Sequence, residues 1–107
     1  MYIFVREDLS HPQQIVQASH AASEASFRFE KPEQPLHIVL CGVKDQHHLM
    51  NVAQYLGRHG IEFELFFEPD YDTGNTAIAT QPLYDQQRKP LRKFKLLQEK
   101  ENEETIS

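Results

Sequence analysis

The sequence predicts one α/β domain of three-layer α/β/α type, with a four-stranded mixed sheet between helical layers. Three observations lead there. Two short, nearly continuous apolar runs, Tyr2–Val5 and Leu36–Val43, read as buried strands. Each is followed by a stretch with helical spacing and a capping residue. The chain then changes to a period of two near Ile61–Phe67 and returns through a short apolar run, Thr76–Thr80. The resulting order, β-α-β-α-β-β, favours a sheet covered on both faces. A chain of 107 residues fits one domain. At that size, roughly two thirds of the unfolded surface is buried, enough for a core without metals or disulfides.

The elements follow in order. Tyr2-Ile3-Phe4-Val5 is rich in β-formers and reads as a central strand, and Asp8-Leu9 turns the chain. Ser10 is a good helix N-cap, with Gln13 completing a capping box and Pro12 tolerated in the first turn. Ile15, Ala18, Ala22 and Ala25 then recur at helical spacing, with Val16 and Ala21 widening the stripe. This face is made of small residues, which lets a neighbouring layer approach closely. The pattern fails by Phe29, and Lys31-Pro32 with Pro35 forms a linker. After the second strand, Asp45 caps a helix with Leu49, Val52, Ala53 and Leu56 on one face, ended by Gly57 and Gly60. Ile61–Phe67 alternates, with Glu62, Glu64 and Phe66 on the face expected to be solvated, as in an edge strand. Asp70, Asp72, Gly74 and Asn75 are turn residues, and Pro82 limits the last strand. Tyr84–Leu97, interrupted by Pro90, reads as a short helix or irregular cover. The domain therefore spans residues 1–97, and residues 98–107 read as a disordered acidic tail.

Charge and cysteine usage narrow the function classes. The net charge is −5, of which the last ten residues, with four glutamates and one lysine, carry −3. The single cysteine, Cys41, excludes an intrachain disulfide and lies in an apolar run, as an inert core thiol does. Met1–Val5 is too short for a signal peptide, and no apolar run approaches the ~20 residues that span a bilayer. A cytoplasmic setting without membrane attachment is the expectation. There is no Gly-rich phosphate loop. His47 and His48 point about 100° apart on a helix and make a poor chelate, so no metal is expected.

Two segments carry polar groups suited to chemistry. Gln17 and His20 lie three residues apart, near one face of the first helix, beside a small apolar stripe. That spacing suits either a site or a histidine bonded at the helix edge. The turn Asp70–Thr76 sets the carboxylate of Asp72 and the hydroxyl of Thr76 four residues apart. Such a pair can orient a water molecule, and the same residues also serve ordinary turn geometry. The cluster Arg88, Lys89, Arg92, Lys93 and Lys95 suits phosphates or a solvated face that offsets nearby carboxylates.

Together the two segments resemble the type 2 peptidyl-tRNA hydrolase family. Gln17-Ala18-Ser19-His20-Ala21 matches that family's Gln-x-x-His-Ala helix segment, and Asp72-Thr73-Gly74-Asn75-Thr76-Ala77-Ile78-Ala79 follows its Asp-Ala-Gly-x-Thr-x-Ile-Ala turn at five positions. Lys95-Leu96-Leu97 fits the family's chain end. The resemblance implies hydrolysis of the ester between a peptide and the terminal ribose of tRNA, no cofactor, and often a homodimer. It carries catalytic roles to Asp72, Thr76 and His20, and substrate contacts to Gln17, Gln13, Arg88, Lys89, Arg92 and Lys93. The family's helix-one lysine falls on Gln13, which has no charge to stabilise an oxyanion or hold a phosphate. Ser10-His11-Pro12-Gln13 replaces the family's lysine-rich helix start, and the stretch after Thr76 is shorter. Three functions follow: a divergent hydrolase, a catalytically inactive relative kept as a binding or assembly module, or an unrelated α/β interaction domain.

Overall fold

A computed structural model describes residues 1–98. Apart from Gln98, the expected acidic tail lies outside the described residues. Four strands, two α-helices and two short 3-10 helices follow the predicted order. They are β1 (Tyr2–Arg6), α1 (His11–Arg28), β2 (Val39–Val43), α2 (Gln46–Arg58), β3 (Phe63–Glu68) and β4 (Gly74–Thr80), with 3-10 helices at Asp70–Asp72 and Asp85–Leu91. The sheet order is β2-β1-β4-β3. β1 runs parallel to β2 and antiparallel to β4, and β3 pairs antiparallel with β4.

This order explains the two helical layers. The β1–α1–β2 crossover steps one way across the sheet and β2–α2–β3 steps back. Crossovers of the same hand then put their helices on opposite faces. On one face, Ala18, Ala21 and Ala25 of α1 pack against Ile3, Val5, Ala77 and Ala79. Alanine against alanine lets the layers approach closely. On the other face, Leu49, Val52 and Leu56 of α2 pack with Tyr2, Phe4, Cys41 and Ile78, and Leu83 and Leu91 of the C-terminal cover close this core.

Local signals are realised at both helix starts. Ser10 accepts from the Gln13 backbone N–H at 3.3 Å, while Gln13 Oε1 accepts from the Ser10 N–H at 3.0 Å. Asp45 accepts from the His48 N–H at 3.0 Å. Four expectations are corrected. Ile15 and Val16 are 58% and 50% exposed, because α1 turns Gln14 and Gln17 inward instead. The second strand starts at Val39, not Leu36, and lies at a sheet edge, with Leu36 and Ile38 exposed. Gly57 lies inside α2, and the left-handed residue past its end is Gly60, at φ 68°. Phe66 is not on a solvated face, since that side of β3 meets α1. The outer edge of β2 is met by the segment Lys95–Leu97: the Gly42 N–H donates to Lys95 O at 3.2 Å and the Leu97 N–H to Leu40 O at 3.0 Å.

No helix among the described residues is long and apolar enough to cross a membrane.

Candidate functional site

The polar residues of α1 meet the strand β4 at one buried point. Thr76 is fully buried, and its hydroxyl donates to Gln17 Oε1 at 2.7 Å. The Gln17 amide then donates through Nε2 to Glu68 Oε2 at 3.2 Å. The other oxygen of Glu68 accepts from the Asp70 N–H at 3.2 Å. A chain of hydrogen bonds thus runs from the sheet interior, through the helix, to the acidic turn. Its direction is set by its ends. An ionised Glu68 can only accept, so Gln17 must turn its NH2 outward and its carbonyl toward Thr76.

These bonds hold the Glu68 carboxyl below its ordinary value. The Gln17 amide contributes most, followed by the Asp70 N–H, and nearby His20 adds a smaller electrostatic contribution. His20 lies flat on Phe66, with ring centroids 4.5 Å apart and planes 3° from parallel.

The chain opens into a small cavity of about 160 Å³. Gln13 and Gln17 line it from α1; Glu68, Asp70, Tyr71 and Thr73 line it from the turn. Tyr71 and Asp72 are consecutive non-glycine residues with φ of 57° and 54°. This left-handed pair carries the Tyr71 ring into solvent, 98% exposed. Arg6 steadies the turn from β1. Its guanidinium donates to Thr73 O at 2.6 Å and Asn75 O at 3.1 Å and pairs with Asp8 at 2.8 Å. Gly74, at φ 81°, lets the Gln46 amide approach closely enough to accept from the Asn75 N–H at 2.6 Å.

The structure therefore brings Gln17 and Thr76 into contact and sets His20 near them, stacked on Phe66. Asp72 is exposed and enters none of the hydrogen bonds that tie the cavity together. Gln13 lines the cavity while its carbonyl oxygen is engaged at the helix cap. The basic residues are not brought to this cavity. Arg88 lies over the Tyr2 ring at 5.7 Å and Lys93 over the Tyr55 ring at 3.8 Å, on the α2 side of the sheet. Arg92 and Lys89 belong to the same cover segment.

Glu68 is a cavity residue that sequence reasoning missed, and Phe66, outside the cavity lining, is the missed partner on which His20 stacks. Glu68 sits two residues before Asp70, and only its position as the last residue of β3 hints at a site role. Among the described residues, no group of three or more His, Cys, Asp or Glu side chains is placed to hold a metal ion. No family model matches the sequence, and no curated protein matches it.

Proposed function

We propose that this chain is a type 2 peptidyl-tRNA hydrolase-like protein that cleaves the ester between a peptide and tRNA at the Gln17–Glu68 cavity. The observation that carries this reading is the buried Thr76–Gln17 pair. It stands where α1 otherwise meets the sheet through alanines. Burying two polar side chains there costs free energy unless each is bonded. The same two positions match the resemblance.

In this reading, water attacks the ester carbonyl carbon, the bond to the ribose oxygen breaks, and that oxygen takes a proton. Glu68, held ionised at neutral pH, orients the water. Thr76 is fully buried, so it acts through Gln17 as a positioning residue. His20 contacts the substrate end, and Asp72, exposed between the lining residues Tyr71 and Thr73, accepts a hydrogen bond from the substrate outside the cavity. Arg88, Lys89, Arg92 and Lys93 contact tRNA phosphates. Incubation of the purified chain with peptidyl-tRNA is expected to release free tRNA, and Gln17→Ala and Asp72→Ala are each expected to lower the rate at least tenfold. Intact substrate, beside a control enzyme that cleaves the same batch, overturns the reading.

One observation favours a second reading, a non-catalytic relative that keeps the fold for binding or assembly. Position 13 carries an uncharged glutamine engaged in a helix cap. In that case Asp72→Ala behaves as the parent in every assay.

A further inference from the structure

A second concave surface lies across the sheet from the cavity. It is a groove of about 570 Å³ between α2, the end of β2 and the C-terminal cover. Four cationic side chains line it: Lys44, Arg58, Lys93 and Lys95. Among the described residues, Glu7 is the only carboxylate that lines it, and none of the four cations is within ion-pair distance of any carboxylate. An acidic chain, of net charge −5, thus gathers four cations against one lining carboxylate in one groove, with Asp45 beside Lys44 as the other nearby counter-charge. Like charges in excess repel one another, and a bound polyanion relieves that repulsion.

The arrangement indicates what kind of anion fits. Lys44 precedes α2 and Arg58 is its last residue, so the thirteen-residue helix separates them. At 1.5 Å per residue that separation is roughly 20 Å. Lys95 lies at the Lys44 end, because its carbonyl accepts from the Gly42 N–H. Lys93 lies nearer the Arg58 end, with its ammonium 3.8 Å from the Tyr55 ring centroid. That ring is held by Tyr55 Oη, which donates to Pro90 O at 2.8 Å, and by an edge contact with Phe94 at 5.4 Å. The cations are therefore strung along the groove in two pairs, too far apart for one phosphate to meet both. The rings of Tyr55 and Phe94 are taken up by Lys93, His59 and the core, so they brace the groove wall and leave the spread cations to meet a flexible strand of successive phosphates.

We propose that this groove binds the backbone of a single-stranded nucleic acid. The groove shares Lys93 with the phosphate contacts of the hydrolase reading, but it needs neither the ester nor the Gln17–Glu68 cavity, so strand binding is measured separately from hydrolysis. All four cations are exposed, and reversing two of them leaves both cores intact.

The test is fluorescence anisotropy of a labelled twelve-nucleotide RNA strand with the full chain across a salt series. Binding is expected to weaken with salt, with a log–log slope near −3 for about four phosphate contacts on a single strand. The double variant Lys44→Glu with Arg58→Glu is expected to bind at least tenfold more weakly, with a slope shallower by about 1.4. Lys31→Glu, in the linker away from the groove, is expected to bind as the parent does. Absence of binding at low salt overturns the proposal. So does an unchanged affinity in the double variant. A polyglutamate peptide of equal charge that competes as well as unlabelled RNA also overturns it, in favour of an acidic protein partner.

Discussion

Glu68 shows how one side chain can be tuned by neighbours that sequence proximity does not supply. Gln17, from another element, is the main cause of its lowered value. The consequence for stability has a definite sign. A carboxylate whose folded value lies below its unfolded one stabilises the fold above the ordinary value of 4.5, and that contribution is lost as pH falls through the folded value. Urea unfolding of the parent and of Glu68→Gln should therefore differ most at neutral pH, with the parent the more stable. The gap should narrow at pH values below the ordinary carboxylate range. A gap that is constant with pH would show that the Gln17 bond does not depend on the charge. Thr76→Val is the matching change at the buried end. It leaves the Gln17 carbonyl without its donor inside the fold, a loss of about 1–3 kcal/mol in unfolding free energy.

At the scale of elements, the first helix is half legible. Its start is written locally, in Ser10, Pro12 and Gln13, and the capping box forms from neighbours alone. Ser10→Ala is expected to cost about 1 kcal/mol in chemical denaturation, since it removes one partner of the box. The helix's buried face is another matter. Hydrophobic spacing selects Ile15 and Val16, whereas the interior takes Gln14 and Gln17. Gln14 finds Leu9 O at 3.2 Å, and Gln17 finds Thr76. Both amide NH2 groups are satisfied by residues outside α1, whereas Gln14 Oε1 is buried without a partner among the described residues. The alternation in β3 misleads in the same way. Phe66 belongs to the α1 layer, and a register shift between Phe66 and Phe67 leaves Phe67 58% exposed.

Over the whole molecule, a four-stranded sheet separates two cores of unlike composition. The α1 side is built from alanines, and the α2 side from large residues such as Phe4, Leu49, Leu56 and Ile78. Truncation should be felt most on the α2 side, where volume is lost from a closed interior. Leu56→Ala, at a fully buried position, is expected to lower unfolding free energy by about 2–5 kcal/mol, read from the urea midpoint at unchanged slope. The sheet also sorts charge. The acidic turn and its cavity lie on the α1 side, while the cationic groove lies on the α2 side. Linear order conceals this, since Lys44 and Lys95 are distant in the chain yet meet at the end of β2.

The sequence by itself determined the element order, both helix starts and the central place of Tyr2–Val5. These follow from interactions within a few residues: caps, turn residues and periodicity. Tertiary structure alone decided which carboxylate completes the cavity, which way α1 faces and where the positive charge collects. Each of those depends on how the two crossovers fold back on opposite faces of the sheet, which brings distant polar groups together and separates near ones.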